Sequence, residues 1–289
     1  MGGATLSTEW TIRDVLNWTR GYFEAAGIVQ PRLEAEILLA HTLDVERLNL
    51  YTSPDQPLTI DERSRYRTVV KRRRGGTPLQ HLIGEVQFFG LRFRVSCDAL
   101  IPRPETEELL DHILRLVPRN RRIACLDVGT GTGVIAICLA RYFPRATVTA
   151  IDISEQALGL ARENAALNDV EDRIEFIKSD WFEHVAGAYD LIASNPPYVA
   201  AEEMEELPAE VRKHEPRVAL DGGVGGLEEI AALIEAAPEH MNRDGLIFLE
   251  IGHRQDAQAV EMLMQRGFAD VRMESDLAGK MRYAVARWP

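Results

Sequence analysis

The sequence predicts an α/β fold in which a parallel, doubly wound sheet of about seven strands follows a small helical N-terminal domain. Up to residue 84 the apolar residues recur at helical spacing, whereas from Ile123 onward short apolar runs alternate with helical segments. Such alternation is typical of parallel strands whose connecting helices cover both faces of the sheet. The predicted strands are residues 123–128, 147–152, 174–178, 190–194, 246–251, 268–273 and 281–286.

Three helices are predicted in the first 84 residues. Ser7 or Thr8 is expected to cap the first, Pro31 to open the second, and Asp61 to cap the third. The basic run at residues 71–74 lies at the end of the third helix, where cations are favoured, and it is expected to be a solvated face. Contact with an RNA-bearing partner is the alternative for this run.

A short β-hairpin is predicted next, because apolar residues alternate on both sides of Gly90. The segment Leu100-Ile-Pro-Arg-Pro-Glu-Thr-Glu107 then reads as an extended connector that feeds a helix. Glu105 and Glu107 would favour the dipole at the start of that helix.

Composition narrows the classes of function. The formal net charge of −12 argues against nonspecific binding to nucleic acid, since phosphate contacts require a cationic surface. Cys97, Cys125 and Cys138 show no C-x-x-C spacing and the histidines no H-E-x-x-H, so reduced thiols and no metal site are expected. No signal peptide and no apolar run of membrane-spanning length are recognised, which predicts a cytoplasmic protein.

A glycine-rich loop follows the first strand of the predicted sheet. Glycines there let a ligand approach the backbone closely. Asp152 ends the second strand about twenty residues on, where a carboxylate can accept both ribose hydroxyls of a nucleoside. Gly131-x-Gly133-x-x-Ala136 also matches a dinucleotide fingerprint, so the loop alone leaves NAD as an alternative. The candidate cofactor-binding residues of the loop are Gly129, Thr130, Gly131, Thr132 and Gly133.

The fourth strand runs into Asn195-Pro196-Pro197-Tyr198. The prolines end the strand and hold Asn195 extended at its carboxyl end, where ligands bind in open α/β sheets. The Asn195 oxygen and an unpaired carbonyl make a pair of acceptors suited to an –NH2 group, and Tyr198 adds an aromatic face. Trp181, after the third strand, is a candidate for stacking on adenine, with a core tryptophan as the alternative. Together these strand ends predict S-adenosylmethionine as cofactor and a planar nitrogen as methyl acceptor.

Over nearly its whole length the chain resembles the release factor glutamine N5-methyltransferase family. The matching segments are Gly84-x-x-x-Phe88-x-Gly90, the 100–107 segment, the 127–133 loop, Asp180-Trp181-Phe182, Ser194-Asn-Pro-Pro-Tyr-Val199, Glu215-Pro216, Ala219-Leu-Asp-Gly-Gly223 and Leu249-Glu-Ile-Gly252. The Asn-Pro-Pro-Tyr tetrad is shared with adenine-N6 DNA methyltransferases, whereas the 100–107 segment behind a helical domain is more selective. The chain departs from the family at Gly225, where Asp is usual, and at His81, where Tyr is usual.

The resemblance implies a class I methyltransferase fold with three parts: a substrate-recognition domain at 1–84, a β-hairpin linker at 85–100 and a methyltransferase domain at 101–289. It implies methylation of the glutamine of the Gly-Gly-Gln motif in peptide chain release factors. The protein is expected to act as a monomer, with no direct partner in nucleic acid or membrane. Asn195, Pro196, Pro197 and Tyr198 would bind this glutamine, and Asn195, Pro196 and Tyr198 would be catalytic. Asp152, Trp181 and Asn195 would hold the cofactor together with the glycine loop.

Four alternatives accompany this interpretation. They are glutamine methylation of a ribosomal protein, an NAD-dependent oxidoreductase, a non-catalytic module that keeps the nucleoside pocket, and adenine methylation of DNA. The net charge disfavours the last of these.

Overall fold

The computed structural model describes residues 9–289, and the chain divides after Gly84 into two compact units. In the N-terminal unit the helices are α1 (Ile12–Glu24), α2 (Pro31–Leu43), α3 (Asn49–Thr52), α4 (Ile60–Arg74) and α5 (Leu79–Ile83). Their apolar faces form one core around Phe23, Leu38 and Leu39, each with no exposed surface. The sequence predicts α1, α2 and α4 but not the single turns α3 and α5, which are too short to show a helical period.

Two threonines, each preceding its helix, cap α1 and α4. The Thr11 hydroxyl accepts from the Asp14 amide at 3.3 Å, and the Thr59 hydroxyl accepts from the Glu62 amide at 3.2 Å. Both pairs form reciprocal capping boxes, because the acidic side chain reaches back to the threonine amide. The prediction of Asp61 as a cap is therefore wrong, and Ser7 and Thr8 lie outside the described residues. Pro31 is confirmed in the first turn of α2.

The basic run at the end of α4 is not the uniformly solvated face that the sequence predicts. Arg73 is buried and its guanidinium binds the Glu34 carboxylate through two nitrogens, at 2.5 and 3.2 Å. Arg74 lies over the Tyr22 ring, 4.3 Å from its centroid, and donates to the Tyr22 hydroxyl. Two of the four cations therefore hold helices together, because planar guanidinium groups pair with carboxylates and stack on rings.

The C-terminal unit begins with an antiparallel hairpin, β1 (Glu85–Phe88) and β2 (Leu91–Arg94), and continues into a seven-stranded sheet. The strands of that sheet are β3 (Ala124–Val128), β4 (Thr147–Asp152), β5 (Ile174–Lys178), β6 (Tyr189–Ser194), β7 (Met241–Glu250), β8 (Ala269–Ser275) and β9 (Met281–Arg287). Their order across the sheet is β5-β4-β3-β6-β7-β9-β8. The order reverses between β3 and β6, which creates a crevice at the carboxyl ends of these two strands.

Helices cover both faces of this sheet, as predicted. They are α6 (Pro104–Leu116), α7 (Val134–Tyr142), α8 (Glu155–Leu167), α10 (Glu228–Ala236) and α11 (Asp256–Arg266). The short helix α9 (Ala209–His214) buries no residue and belongs to neither core. One core cluster joins α6, α7 and α8 to the sheet and a second joins α10 and α11. Successive strand residues alternate between the clusters: Leu191 lies in the first and Ile192 in the second.

The sheet is mixed rather than wholly parallel, which corrects one expectation. Strands β3 to β7 pair in parallel, whereas β9 pairs antiparallel with both β7 and β8. The short turn between Ser275 and Met281 permits only an antiparallel return, and β9 fills the position next to β7.

Strand β7 starts at Met241, five residues before the predicted apolar run, and β6 and β7 change register between Tyr189 and Leu191. The polar residues 242–244 interrupt the apolar pattern there, so this part of β7 gave no strand signal. Among the described residues, no helix is long and apolar enough to cross a membrane.

Candidate active site

A cavity of about 820 Å³ opens at the carboxyl ends of β3, β4 and β6. The register aligns Val128 with both Ile151 and Ser194, so these strands end side by side. The Ser194 hydroxyl donates to the Val128 carbonyl at 2.7 Å and ties β6 to β3 directly beneath the cavity. Of the predicted site residues, the cavity walls contain Gly129, Thr130, Gly131, Thr132, Asp152, Trp181, Asn195 and Pro197.

The glycine-rich loop is fastened from below by Asp127, which the sequence analysis did not select. Its fully buried carboxylate accepts from the Thr130 hydroxyl at 2.6 Å and from the Ala136 amide at 3.0 Å. Burial raises the pKa of Asp127 to about 7. Gly129 and Gly131 have φ of 71° and 54°, which turns the loop backbone toward the cavity.

Gly133 differs in role from the other loop glycines. It precedes α7 with φ of 84° and is not among the cavity-lining residues. A Cβ there would lie 3.0 Å from Ile137 Cδ1 and 3.1 Å from Ala161 Cβ, so the glycine lets α7 and α8 pack closely. Gly133 therefore serves helix packing, whereas Gly129 and Gly131 line the cavity.

Asp152 ends β4 at the cavity wall, as its position in the sequence predicts. One carboxylate oxygen accepts from the Gly131 amide at 2.8 Å and the other from the Ser154 amide at 2.9 Å. Burial raises the pKa of Asp152 above its usual value, and the two backbone amides oppose that shift. Because an ionised carboxylate has about four acceptor sites, it can bind two hydroxyls while keeping these bonds.

Trp181 lines the cavity after β5, held in the left-handed region with φ of 45°. Its indole nitrogen donates to Glu229 Oε2 at 3.1 Å and fixes the ring orientation. The ring is half-buried against the second core cluster, so the predicted cavity tryptophan is also part of the packing.

The Asn195–Tyr198 segment meets the cavity only in part. Asn195 and Pro197 line it, whereas Pro196 and Tyr198 do not. Asn195 Nδ2 donates to the hydroxyl oxygen of Thr106 at 3.1 Å. The Tyr198 hydroxyl lies 3.5 Å from Glu250 Oε1, and burial raises the pKa of Tyr198.

Close backbone contacts lock this segment in place. A Cβ on Gly222 would lie 2.7 Å from the Pro197 carbonyl oxygen, and one on Gly226 would lie 2.2 Å from the Tyr198 carbonyl oxygen. The Gln255 side chain donates to the carbonyls of Tyr198 and Gly226, at 3.0 Å each. Gly225 has φ of 63° with open space around a Cβ, a conformation that Asp also adopts.

The Pro-Arg-Pro connector is part of the site and not merely a link. Arg103 lines the cavity and donates to Glu215 Oε1 at 2.6 Å, while Glu215 Oε2 accepts from the Ile101 amide at 3.2 Å. Glu107, expected only to favour the helix dipole, accepts a hydrogen bond from the Phe89 amide in the hairpin. The bonds to Glu215 join residues more than a hundred positions apart, so they leave no local signal in the sequence.

The residues present fit a nucleoside that carries an amino-acid tail. Asp152 offers hydroxyl acceptors, Trp181 an aromatic surface, and the backbone at Gly129 and Gly131 unobstructed approach, since no atom lies within 4 Å of a Cβ built on Gly129. In the part of the chain that the structure describes, no group of His, Cys, Asp and Glu is arranged to hold a metal ion.

Two family models match the chain. Residues 14–84 match the PrmC N-terminal domain, and residues 106–214 match the methyltransferase small domain.

Solved structures support the fold. A methyltransferase from Pyrococcus furiosus superposes with a TM-score of 0.52 at 22% identity, covering 69% of this chain and 89% of its own. A 16S rRNA methyltransferase from T. thermophilus, solved with AdoMet and guanosine, also gives a TM-score of 0.52, at 16% identity over 71% of this chain and 50% of its own. The seven-stranded class I methyltransferase fold is thereby confirmed.

Curated relatives extend over almost the whole chain. A release factor glutamine methyltransferase of Geobacter sulfurreducens is 40% identical over 279 residues, covering 96% of this chain and 97% of its own. The protein of the same name from Koribacter versatilis is 40% identical over 281 residues, with 96% and 99% covered. With relatives this similar over both sequence units, the chain belongs to the release factor glutamine methyltransferase family.

Proposed function

We propose that this protein transfers a methyl group from S-adenosylmethionine to the side-chain amide nitrogen of the glutamine in the Gly-Gly-Gln motif of peptide chain release factors. The observation that carries the proposal is the 40% identity to release factor glutamine methyltransferases over 96% of the chain. Asn195 lies on the cavity wall together with the glycine loop. Its side-chain oxygen is the hydrogen-bond acceptor that would hold the substrate amide for this reaction. The relatives do not favour the NAD-dependent alternative.

S-adenosylmethionine is the cofactor; when bound, it would supply a methyl group on a positively charged sulfur, and that sulfur would keep the electron pair of the carbon–sulfur bond that is lost. We assign the ribose to Asp152, the adenine to Trp181 and the methionine part to the backbone at residues 129–132. Gly133 contributes by letting the helices pack beneath the loop. Asn195 lines the same cavity, and we assign it to the end of the pocket that faces the methyl acceptor.

The acceptor amide requires orientation more than activation. Its nitrogen lone pair is delocalised into the carbonyl, so the nitrogen is a poor nucleophile. The Asn195 oxygen and the Pro196 carbonyl would accept the two N–H bonds, with Pro197 and Tyr198 against the glutamine side chain. Such orientation is worth up to about 7–11 kcal/mol in favourable cases.

No general base is needed before the transfer. The glutamine nitrogen supplies the electron pair of the new nitrogen–carbon bond and becomes positively charged. It then releases a proton to water, because an N-methylated, protonated amide is strongly acidic. The chain's task is therefore to hold the amide and exclude competing orientations.

We propose that the helical unit recognises the protein substrate. The match of residues 14–84 to the PrmC N-terminal domain supports this assignment, because the relatives with the same activity carry the same part. A surface suited to a protein partner is present: Trp18 is 51% exposed and stacks on Tyr22 with ring centroids 4.8 Å apart. Further proposals are action as a monomer in the cytoplasm, without direct contact to nucleic acid, which the net charge of −12 supports.

Labelled methyl transfer tests the function. Purified release factor is incubated with the protein and methyl-labelled S-adenosylmethionine, and mass spectrometry locates the label. Label on the Gly-Gly-Gln glutamine is the expected result. Transfer to a ribosomal protein in place of release factor, or no transfer to either, would contradict the proposal.

A further inference from the structure

Behind Asn195 lies a chain of buried polar groups contributed by three separate elements. Thr106, in the first turn of α6, is 2% exposed, and its hydroxyl donates to Glu250 Oε2 at 2.7 Å. Glu250 ends β7 and has no exposed surface. The Thr106 oxygen in turn accepts from Asn195 Nδ2 at 3.1 Å. The chain thus runs from a buried carboxylate, through one hydroxyl, to the amide at the cavity wall.

The chemistry of these groups gives the chain a direction. An ionised carboxylate only accepts hydrogen bonds, so the Thr106 proton must point to Glu250. The Thr106 oxygen then has only lone pairs to offer, so it can pair with the Asn195 –NH2 and not with the Asn195 oxygen. If the amide were turned over, two acceptors would face each other. The charge on Glu250 therefore determines which end of the Asn195 amide faces Thr106 and which end is left for the cavity.

We propose that Thr106 and Glu250 are positioning residues for methyl transfer, which hold the Asn195 amide with its oxygen toward the acceptor nitrogen. This inference rests on the proposed function, in which Asn195 accepts an N–H bond from the substrate. A turned amide would present an –NH2 to the substrate –NH2, and no hydrogen bond would form. The reaction thus requires the Asn195 amide to face one way only, and the Asn-Pro-Pro-Tyr segment by itself does not fix which way it faces.

The surroundings of Glu250 make the hydrogen bonds from Glu250 through Thr106 to Asn195 sensitive to pH. Burial raises the pKa of Glu250 to about 7, and Glu105 of α6 adds to the increase, while the bond from Thr106, Arg282 of β9 and the Tyr198 hydroxyl oppose it. Tyr283 of β9 also faces this carboxyl. When Glu250 is protonated it can donate to Thr106, and the Thr106 proton is then free to bind the Asn195 oxygen. The amide can turn over, so the rate should fall as Glu250 takes up its proton.

Three threonine variants test the role of the hydroxyl. Thr106→Val keeps the shape but leaves the Asn195 –NH2 without its partner, so kcat for release factor should fall by about tenfold to a hundredfold. Thr106→Ser keeps the hydroxyl and should be at least about tenfold faster than Thr106→Val, since it restores the same bond. Thr149→Val is the control, because Thr149, in strand β4, is also a buried threonine but lies outside the cavity.

A purely structural role would affect other properties. The affinity for S-adenosylmethionine, measured by calorimetry, should be the same in Thr106→Val and Thr149→Val. A loss of kcat shared by both variants, or equal rates in Thr106→Val and Thr106→Ser, would overturn the proposal.

The pH dependence tests Glu250 independently. The rate of Glu250→Gln is divided by the rate of the unaltered protein at each pH between about 6 and about 9, so that titrations common to both proteins cancel. At the alkaline end the ratio should be about one third or less. It should rise toward one as the pH falls, because residue 250 is then neutral in both proteins. A ratio that does not change with pH would contradict the role of the Glu250 charge.

The two proposals fail in different ways. If the unaltered protein does not label release factor, the proposed function is wrong. If it does and the threonine variants are equally active, only the positioning role is wrong.

Discussion

Replacing Asn195 by alanine removes one side chain at the point where the cavity meets the proposed methyl acceptor. The backbone of this residue should stay in place, because the neighbouring Ser194 hydroxyl binds the Val128 carbonyl at 2.7 Å and Gln255 holds the Tyr198 carbonyl at 3.0 Å. What is lost is the acceptor oxygen, together with the amide group that pairs with Thr106 at 3.1 Å. The substitution therefore removes the proposed acceptor oxygen together with the hydrogen bond that orients it.

The expected loss is about 10²–10³ in kcat, the effect of removing one preorganised polar group that acts in a transition state. The reason lies in the charge of the substrate nitrogen, which becomes positive as the methyl group arrives. Its N–H bonds then become stronger donors. An acceptor oxygen therefore stabilises the transition state more than it stabilises the bound glutamine before reaction. The loss should consequently appear in kcat more than in KM.

Single-turnover methyl transfer to intact release factor measures the effect, with calorimetric affinity for S-adenosylmethionine as a second reading. Asn168→Ala is a suitable control, since the Asn168 side-chain amide also donates a hydrogen bond, here to the Arg92 carbonyl at 2.8 Å, but lies outside the cavity. Asn195→Asp gives a sharper comparison. It keeps the shape and an acceptor oxygen, yet places an acceptor against the Thr106 oxygen, so its rate should stay close to that of the alanine variant.

Near-full turnover of Asn195→Ala would refute the reasoning, because the acceptor amide would then be oriented by other groups. Full activity of Asn195→Asp would refute a narrower part, namely the directed hydrogen bond to Thr106.

Three further outcomes are expected. Gly133→Ala should lower the free energy of unfolding by about 2–4 kcal/mol, because φ of 84° disfavours a side chain and the new Cβ would press on Ala161 at 3.1 Å; chemical denaturation measures this. Asp152→Ala should weaken S-adenosylmethionine binding by about tenfold to a hundredfold in calorimetry, since the hydroxyl acceptors and the anchor of the Gly131 amide are both lost. Trp18→Ala should raise KM for intact release factor by about fivefold to thirtyfold but leave a short Gly-Gly-Gln peptide unaffected, whereas Leu277→Ala, at an exposed residue of the other unit, should change neither.

Local patterns in the sequence were enough for most of the architecture. A buried strand requires a short apolar run and an amphipathic helix a repeating apolar stripe, and both are visible without knowledge of the fold. The β4 strand (Thr147–Asp152) and the β5 strand (Ile174–Lys178) have the predicted bounds. The strand ends also predicted where Asp152, Trp181 and Asn195 would converge, because parallel strands end at one edge of a sheet.

Other features depended on which elements become neighbours in space. The antiparallel position of β9 follows from the short turn after β8 and from the space beside β7, neither of which an apolar pattern encodes. Arg73 seemed a solvated cation because its partner Glu34 is 39 residues away. Asp127 fastens the glycine loop from below, and no binding pattern in the sequence marks such a role.

The sequence by itself determined the class of sheet, the glycine loop and the Asn-Pro-Pro-Tyr segment, since each depends on the conformational preferences of adjacent residues. Only the tertiary structure brought Thr106 to Asn195 across 89 positions and to Glu250 across 144. The direction of a hydrogen bond between such residues depends on the ionisation of a carboxyl group, and that ionisation depends on burial. Burial is a property of the packed fold, so no stretch of sequence contains it.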